Sequence, residues 1–246
     1  MITFIGIDLA WRGDKNPSGA AVLRGGERGA ELVEVAAPLH GADVLAFIRS
    51  HLTERAVVAI DAPLIIPQPT GQRRCETLVG NRYGARHASC HSSNQTLYPN
   101  AASVHLAIEL LQDGFCHAPA NDGARLMLEV YPHAALVELF ALEKTIKYKK
   151  GSVASKWRGL VQLQGIVSHF TTADPPVLST PALQAFISTG LENLSGRLLK
   201  DYEDAIDGLI CAYLAYYYWR WRSSRTETFG DVGTGYIVNP SCSLTP

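Results

Sequence analysis

The sequence predicts an α/β fold: a mixed five-stranded sheet of strand order 3-2-1-4-5, flanked by helices and carrying helical insertions. Three observations carry this expectation. Apolar runs end at Asp8 (Ile-Gly-Ile-Asp) and at Asp61 (Val-Val-Ala-Ile-Asp). Between them lie two further strand-like runs separated by short polar turns, then one segment of helical period. Near the far end, a long apolar helix begins at an aspartate pair, Asp204 and Asp207.

Residues 2–9 read as a buried strand. The turn over 13–19 leads to a strand near 20–24, and the turn over 25–29 leads to a third strand over 31–36. Strands joined by short polar turns form an antiparallel meander. Residues 43–52 place Val44, Leu45, Phe47, Ile48 and Leu52 at helical spacing, and 56–61 is a β-branched fourth strand. A strand–helix–strand passage crosses over right-handedly and brings the fourth strand parallel to the first. Asp8 and Asp61 then sit on neighbouring C-terminal strand ends, where open α/β sheets bind their ligands.

Residues 62–100, interrupted by Pro63, Pro67, Pro69 and Gly71, have no clear period. A loop this long is functional or partly helical. A helix over 102–111, a fifth strand over 126–131 stopped by Pro132, and helices over 133–142 and 154–169 follow. Pro181 opens another helix. The long helix runs over 201–221, and the tail is a loop with one edge strand at 236–238. The chain reads as one domain, 1–246, with insertions over approximately 62–125 and 143–200. The order β-β-β-α-β-α-β-α is that of the ribonuclease-H-like fold.

A formal net charge of −1 argues against coating nucleic acid through bulk charge, and leaves room for a local basic groove. Five irregularly spaced cysteines suit the reduced thiols of a cytoplasmic protein. The N-terminus reads as a strand rather than a signal peptide. The most apolar stretch, 209–219, falls short of the roughly 20 residues that span a bilayer. His87, Cys90, His91, Cys116 and His117 fit no common structural zinc spacing. Neither a P-loop nor G-x-S-x-G is present. Tyr213, Tyr216, Tyr217, Tyr218, Trp219 and Trp221 read as helix-packing residues or as a contact for a homo-oligomer.

Asp204 and Asp207 lie about 60° apart on a helix of ~3.6-residue period and share a face. Acids in a first helical turn also complement the helix dipole. Asp201 and Glu203 serve that purpose equally well, so the inner pair calls for another explanation. Two strand-end carboxylates joined by a helix pair form an oxygen-rich set suited to Mg²⁺ or Mn²⁺. Glu129, on the fifth strand, is a further ligand, a support for one, or half of an ion pair with an arginine. Basic residues flank the acids in sequence: Arg73, Arg74, Arg82 and Arg86, then Lys144, Lys147, Lys149, Lys150, Lys156 and Arg158. They are solvated faces or phosphate contacts; arginine suits bidentate phosphate binding and lysine acts as a point charge.

Gly6-Ile-Asp8-Leu-Ala-Trp11, Ile60-Asp61-Ala-Pro-Leu64, Arg74-Cys-Glu76, Glu129-Val-Tyr-Pro132 and Asp204-Ala-Ile-Asp207 carry a family resemblance. The chain resembles domain-of-unknown-function family 429, predicted ribonuclease-H-like nucleases, over nearly its whole length. That family is similar in its core to the Holliday-junction resolvases, whose metal acids sit on the first strand, near the fourth, and as a pair on the last helix. Asp8, Asp204 and Asp207 match these positions, and Asp61 matches in neighbourhood. Cys90-His-Ser-Ser-Asn94 departs from the apolar, proline-bearing stretch expected there.

The expectation is a metal-dependent phosphodiesterase acting on a nucleic acid or nucleotide by a two-metal mechanism. Asp8, Asp61, Asp204 and Asp207 would hold Mg²⁺ or Mn²⁺, with Glu129 as a further donor. Arg74, Lys147 and Lys149 would meet phosphate. The alternatives are phosphotransfer or ATP binding on a related fold, and a non-catalytic binding protein with a vestigial site.

Overall fold

The computed structural model describes residues 1–11 and 16–241. The first residues of the turn at 13–19, and Cys242 in the tail, lie outside them. Strand β1 (Ile2–Asp8) pairs antiparallel with β2 (Ser18–Gly26), which pairs antiparallel with β3 (Gly29–Leu39). Helix α1 (Ala42–Ser50) crosses to β4 (Ala56–Ile60), parallel to β1. After α2 (Arg74–Tyr83) and α3 (Ala102–Gln112) come the two-residue β5 (Cys116–His117) and β6 (Arg125–Glu129). Strand β6 is parallel to both β4 and β5.

The sheet has six strands, in the order β3-β2-β1-β4-β6-β5. The expected five-stranded order is intact, and the sixth strand is the short edge piece β5. Two residues carry no readable alternation, which is why the sequence does not announce it. The topology is ribonuclease-H-like. Helices α4 (Pro132–Leu139), α5 (Val153–His169), α6 (Pro181–Ile187) and α7 (Gly196–Trp221) follow. The last described elements are a hairpin of β7 (Thr226–Asp231) and β8 (Gly235–Pro240), where only one edge strand is expected. Among the described residues, no helix is long and apolar enough to cross a membrane.

Strand alternation divides the core between the two sheet faces. Ile5, Ile7, Val22, Val58 and Ile60 pack with Val44 and Phe47 of α1 and Leu106 and Leu110 of α3. Phe4, Ala21, Leu23, Val57, Ala59 and Leu128 pack with the residues of α5 and α7. Tyr213, Tyr216, Tyr217 and Tyr218 are buried in this second layer. Tyr213 stacks on Phe170 with ring centres 3.8 Å apart. The α7 tyrosines therefore spend their surface inside the chain, while Trp219 and Trp221 are partly buried at its end.

Helix α7 lies along β1 and β2 at backbone contact because glycines leave room for it. A Cβ on Gly6 would sit 1.9 Å from the Ala212 nitrogen, and one on Gly19 would sit 1.9 Å from the Asp204 carbonyl oxygen. From the helix side, a Cβ on Gly208 would stand 2.8 Å from the Ala20 backbone. Neither backbone can yield without moving the helix. Gly6→Ala is expected to destabilise the protein by about 3 kcal/mol or more, at the upper end of overpacking costs. Chemical denaturation measures it, and a change below about 1 kcal/mol would show that the helix can shift freely.

Candidate functional site

Asp8 and Asp61 extend two parallel strands whose preceding residues, Ile7 and Ile60, are directly paired. The Asp61 N–H continues the ladder by donating to the Ile7 carbonyl at 2.9 Å. By alternation, Asp8 falls on the face of Phe4 and Gly6, and Asp61 on the face of Val57 and Ala59. That is the face covered by α7. The close seat at Gly6 and Gly19 then lays Asp204 and Asp207 beside Asp8. Asp204 and Asp207 are buried. Helix α7 starts at Gly196, five residues before the expected Asp201, so neither acid is in its first turn. The helix-dipole explanation falls away.

Two lysines enter this acidic cluster. Lys149 Nζ lies 2.8 Å from Asp207 Oδ2 and 3.5 Å from Asp8 Oδ2. Lys200 Nζ lies 2.6 Å from Asp204 Oδ1 and 2.7 Å from Glu203 Oε1. The Tyr148 hydroxyl donates to Asp207 Oδ1 at 2.7 Å. Asp204 Oδ2 is buried without a hydrogen-bond partner, and Asp207 Oδ2 meets Lys149 as an ion pair without hydrogen-bond geometry. Lys149 is placed by α5: the backbone of Lys147 presses on Gly159, where a Cβ would stand 2.3 Å from the Lys147 carbonyl oxygen.

The charges do not balance, and the proton affinities record it. Burial raises the Asp8 carboxyl, more than Lys149 lowers it, and Asp207 adds to the rise. Burial, then the charge of Asp8, holds Asp61 well above the usual carboxylate range. Asp204 is pushed up to about 7, chiefly by burial. Burial opposes the charge on Lys149, but Asp207 and Asp8 together hold it well above its usual range. One ammonium shared among several carboxylates is overpaired, while Asp8, Asp61 and Asp204 are undercompensated.

These shifts fix a pH dependence. An Asp that titrates near 3.8 unfolded and about 7 folded favours the folded state while protonated. That contribution is complete below pH ~4 and is lost as pH rises through about 7. In metal-free buffer with chelator, the urea midpoint should be higher at pH 5 than at pH 7.5, and Asp204→Asn should flatten the difference. A midpoint that falls on acidification would contradict the burial of uncompensated acids.

The cluster floors a cleft of about 980 Å³. Asp8, Asp61 and Asp204 line it together with Lys147, Lys149, Lys150, Arg197 and Lys200. His133 also lines it, with Nδ1 3.0 Å from the Thr145 hydroxyl. Burial, then Lys149, pushes this imidazole down to about 4, so it is neutral at pH 7.

Two expected site residues do not line this cleft. Glu129 has the strand parity of Met127, which belongs to the α1–α3 layer, so it faces away from α7. Its two carboxylate oxygens accept from Arg73 Nη1 and Nη2, and the Leu64 N–H donates to Oε2 at 3.0 Å. Glu129 is therefore half of an ion pair with Arg73, one of the three roles the sequence leaves open for it. Arg73 also bonds Glu76, at 2.8 Å from Nε to Oε1. Ser93 joins the same network by donating to Glu76, which accounts for a polar residue within Cys90–Asn94. Arg74, one residue on, is exposed at the start of α2 and does not line the cleft. Arg73, the extended residue just before α2, turns inward, and Arg74 at the first helical position turns outward.

Lys200, Tyr148, His133 and the buried role of Arg73 fall outside what the sequence motifs mark. Lys200 carried a usable signal, since it precedes Glu203 and Asp204 at the i,i+3 and i,i+4 spacings of helix ion pairs. Tyr148 and His133 reach the site from distant segments and carry no local pattern.

The fold and these acids define a ribonuclease-H-like α/β protein with a carboxylate-floored, cation-lined cleft. Residues 6–231 match the family described as "Protein of unknown function (DUF429)", and the chain belongs to that family. The matched span contains all four aspartates. No curated protein matches the chain.

Proposed function

We propose that the protein is a metal-dependent phosphodiesterase that hydrolyses a nucleic acid or a nucleotide. The carrying observation is the meeting of strand-end Asp8 and Asp61 with Asp204 of α7 at the floor of a cation-lined cleft, with Asp207 buried beside them and tied to Asp8 through Lys149.

The donor chemistry fits Mg²⁺ or Mn²⁺. All four groups are carboxylates, and hard divalent cations prefer oxygen. The buried, unpartnered Asp204 Oδ2 and the raised proton affinities mark a cluster short of positive charge. Among the described residues, no three histidine, cysteine or carboxylate side chains already stand as a group that could hold an ion. The fit therefore lies in donor type, burial and charge. Asp8, Asp61, Asp204 and Asp207 would hold the ion, which supplies an activated water and neutralises charge at the phosphorus.

The chain's own residues do the rest. Lys147, Lys150 and Arg197 line the cleft where they can bind and orient the phosphate. Neutral His133, anchored through Nδ1, keeps Nε2 for a hydrogen bond with a group in the cleft. A panel of DNA, RNA, branched junctions and dinucleotides, incubated with Mn²⁺ or with chelator, tests the proposal. The expected result is cleavage of at least one member that chelator abolishes. Tight ATP binding without cleavage would favour phosphotransfer, and metal-independent binding alone would favour a non-catalytic protein.

A further inference from the structure

Lys149 poses a problem that the phosphodiesterase reading leaves open. Its ammonium stands at 2.8 Å from Asp207 and 3.5 Å from Asp8, on carboxylate oxygens that a divalent ion would need. Ammonium and metal compete for those oxygens, because two cations in one small polar cluster repel. Full use of Asp8 and Asp207 by an ion requires the lysine to move off their Oδ2 atoms.

The structure favours movement. Lys149 belongs to the irregular segment between α4 and α5, so its departure breaks no helix or strand. Its side chain is 31% exposed, whereas Asp207 is 0% exposed. The acid is fixed and the ammonium reaches it from the cleft. The neighbouring Tyr148 is buried and donates to Asp207, which anchors the segment whether or not the ammonium is in place. Lys147 and Lys150 already line the cleft on either side, so a displaced ammonium joins an existing cationic wall.

We propose that Lys149 is an internal counter-cation: it neutralises the Asp8–Asp207 pair until a divalent ion displaces it, and its ammonium then turns to the phosphate in the cleft. This rests on the metal-dependent reading above and adds a regulation of that site. No bond is made or broken. A singly charged ammonium gives way to a doubly charged ion, which compensates the surplus carboxylates better, and the freed charge is retained by an anionic substrate. Metal and phosphate therefore bind cooperatively, each removing an obstacle to the other.

Two measurements test this. First, Mn²⁺ binding is followed by electron paramagnetic resonance for wild type, Lys149→Met and Asp8→Asn. Lys149→Met should bind Mn²⁺ about tenfold or more tightly than wild type, the equivalent of removing one partly buried competing ion pair. Second, amine acetylation of the wild type is mapped by mass spectrometry with and without Mg²⁺. Labelling of Lys149 should rise several-fold with Mg²⁺, while that of the exposed Lys144 stays constant. If Lys149→Met does not fold, the labelling decides alone. Equal Mn²⁺ affinity in wild type and Lys149→Met, lost in Asp8→Asn, with labelling indifferent to Mg²⁺, would overturn the proposal and leave the metal-dependent reading standing. Absence of Mn²⁺ binding in both wild type and Lys149→Met would overturn both.

Discussion

Asp8→Asn is expected to abolish metal-dependent hydrolysis while leaving the fold intact or slightly more stable. Asp8 is the strand-end acid whose neighbours include Asp61, Asp207 and Lys149. Loss of a group that merely orients a metal ligand costs a site roughly 10–100-fold. Loss of a ligand shared by the whole cluster should cost at least about a hundredfold on the same scale. Stability should move the other way. Burial raises the Asp8 carboxyl, so its charge at pH 7 opposes folding, and Lys149 does not offset this fully. The neutral amide removes that cost and keeps the shape. Turnover of the cleaved substrate and thermal denaturation of the same samples check both halves. A substantial loss of stability with turnover preserved would assign Asp8 a structural role.

Arg73→Met is expected to destabilise the protein by about 3–5 kcal/mol, the cost of leaving a buried charge without its partner. Arg73 is buried and bonds both Glu76 and Glu129. Through Glu129 it ties the 62–100 segment to β6, and through Glu76 to Ser93. Its loss leaves two buried carboxylates facing each other. Glu129→Gln should also lower stability, yet leave Mn²⁺ affinity unchanged, because Glu129 faces away from the α7 layer. Urea denaturation and Mn²⁺ titration of the two variants separate these roles. A Glu129→Gln protein of normal stability that had lost Mn²⁺ binding would place Glu129 in the donor set.

The acids were legible because each sits where a local rule speaks. Asp8 and Asp61 end apolar runs, and the crossover preference makes those ends neighbours. Asp204 and Asp207 share a face by helical period alone. What the sequence concealed is the partner set. Lys149 and Tyr148 arrive on an irregular segment, and no periodicity says which of several lysines in a basic run reaches inward. Helix α2 stayed hidden because Arg73 is an unusual N-terminal residue and only Cys75, Val79 and Tyr83 mark its apolar face. The sequence pattern puts the start of α7 late because the first turns carry Gly196, Arg197, Leu198 and Lys200, which do not face the core. The β7–β8 hairpin gains its burial from α2, with Phe229 and Ile237 packing on Cys75 and Val79, so it could not be read before α2 was known.

The central claim is that four aspartates from β1, β4 and α7 make one cation-binding centre. Anomalous diffraction from a crystal soaked in Mn²⁺ tests it directly. The account predicts an anomalous peak bounded by Asp8, Asp61, Asp204 and Asp207, with the Lys149 ammonium withdrawn from Asp207. A well-ordered cleft with Lys149 still seated between Asp8 and Asp207, and Mn²⁺ peaks only at other sites, would contradict it.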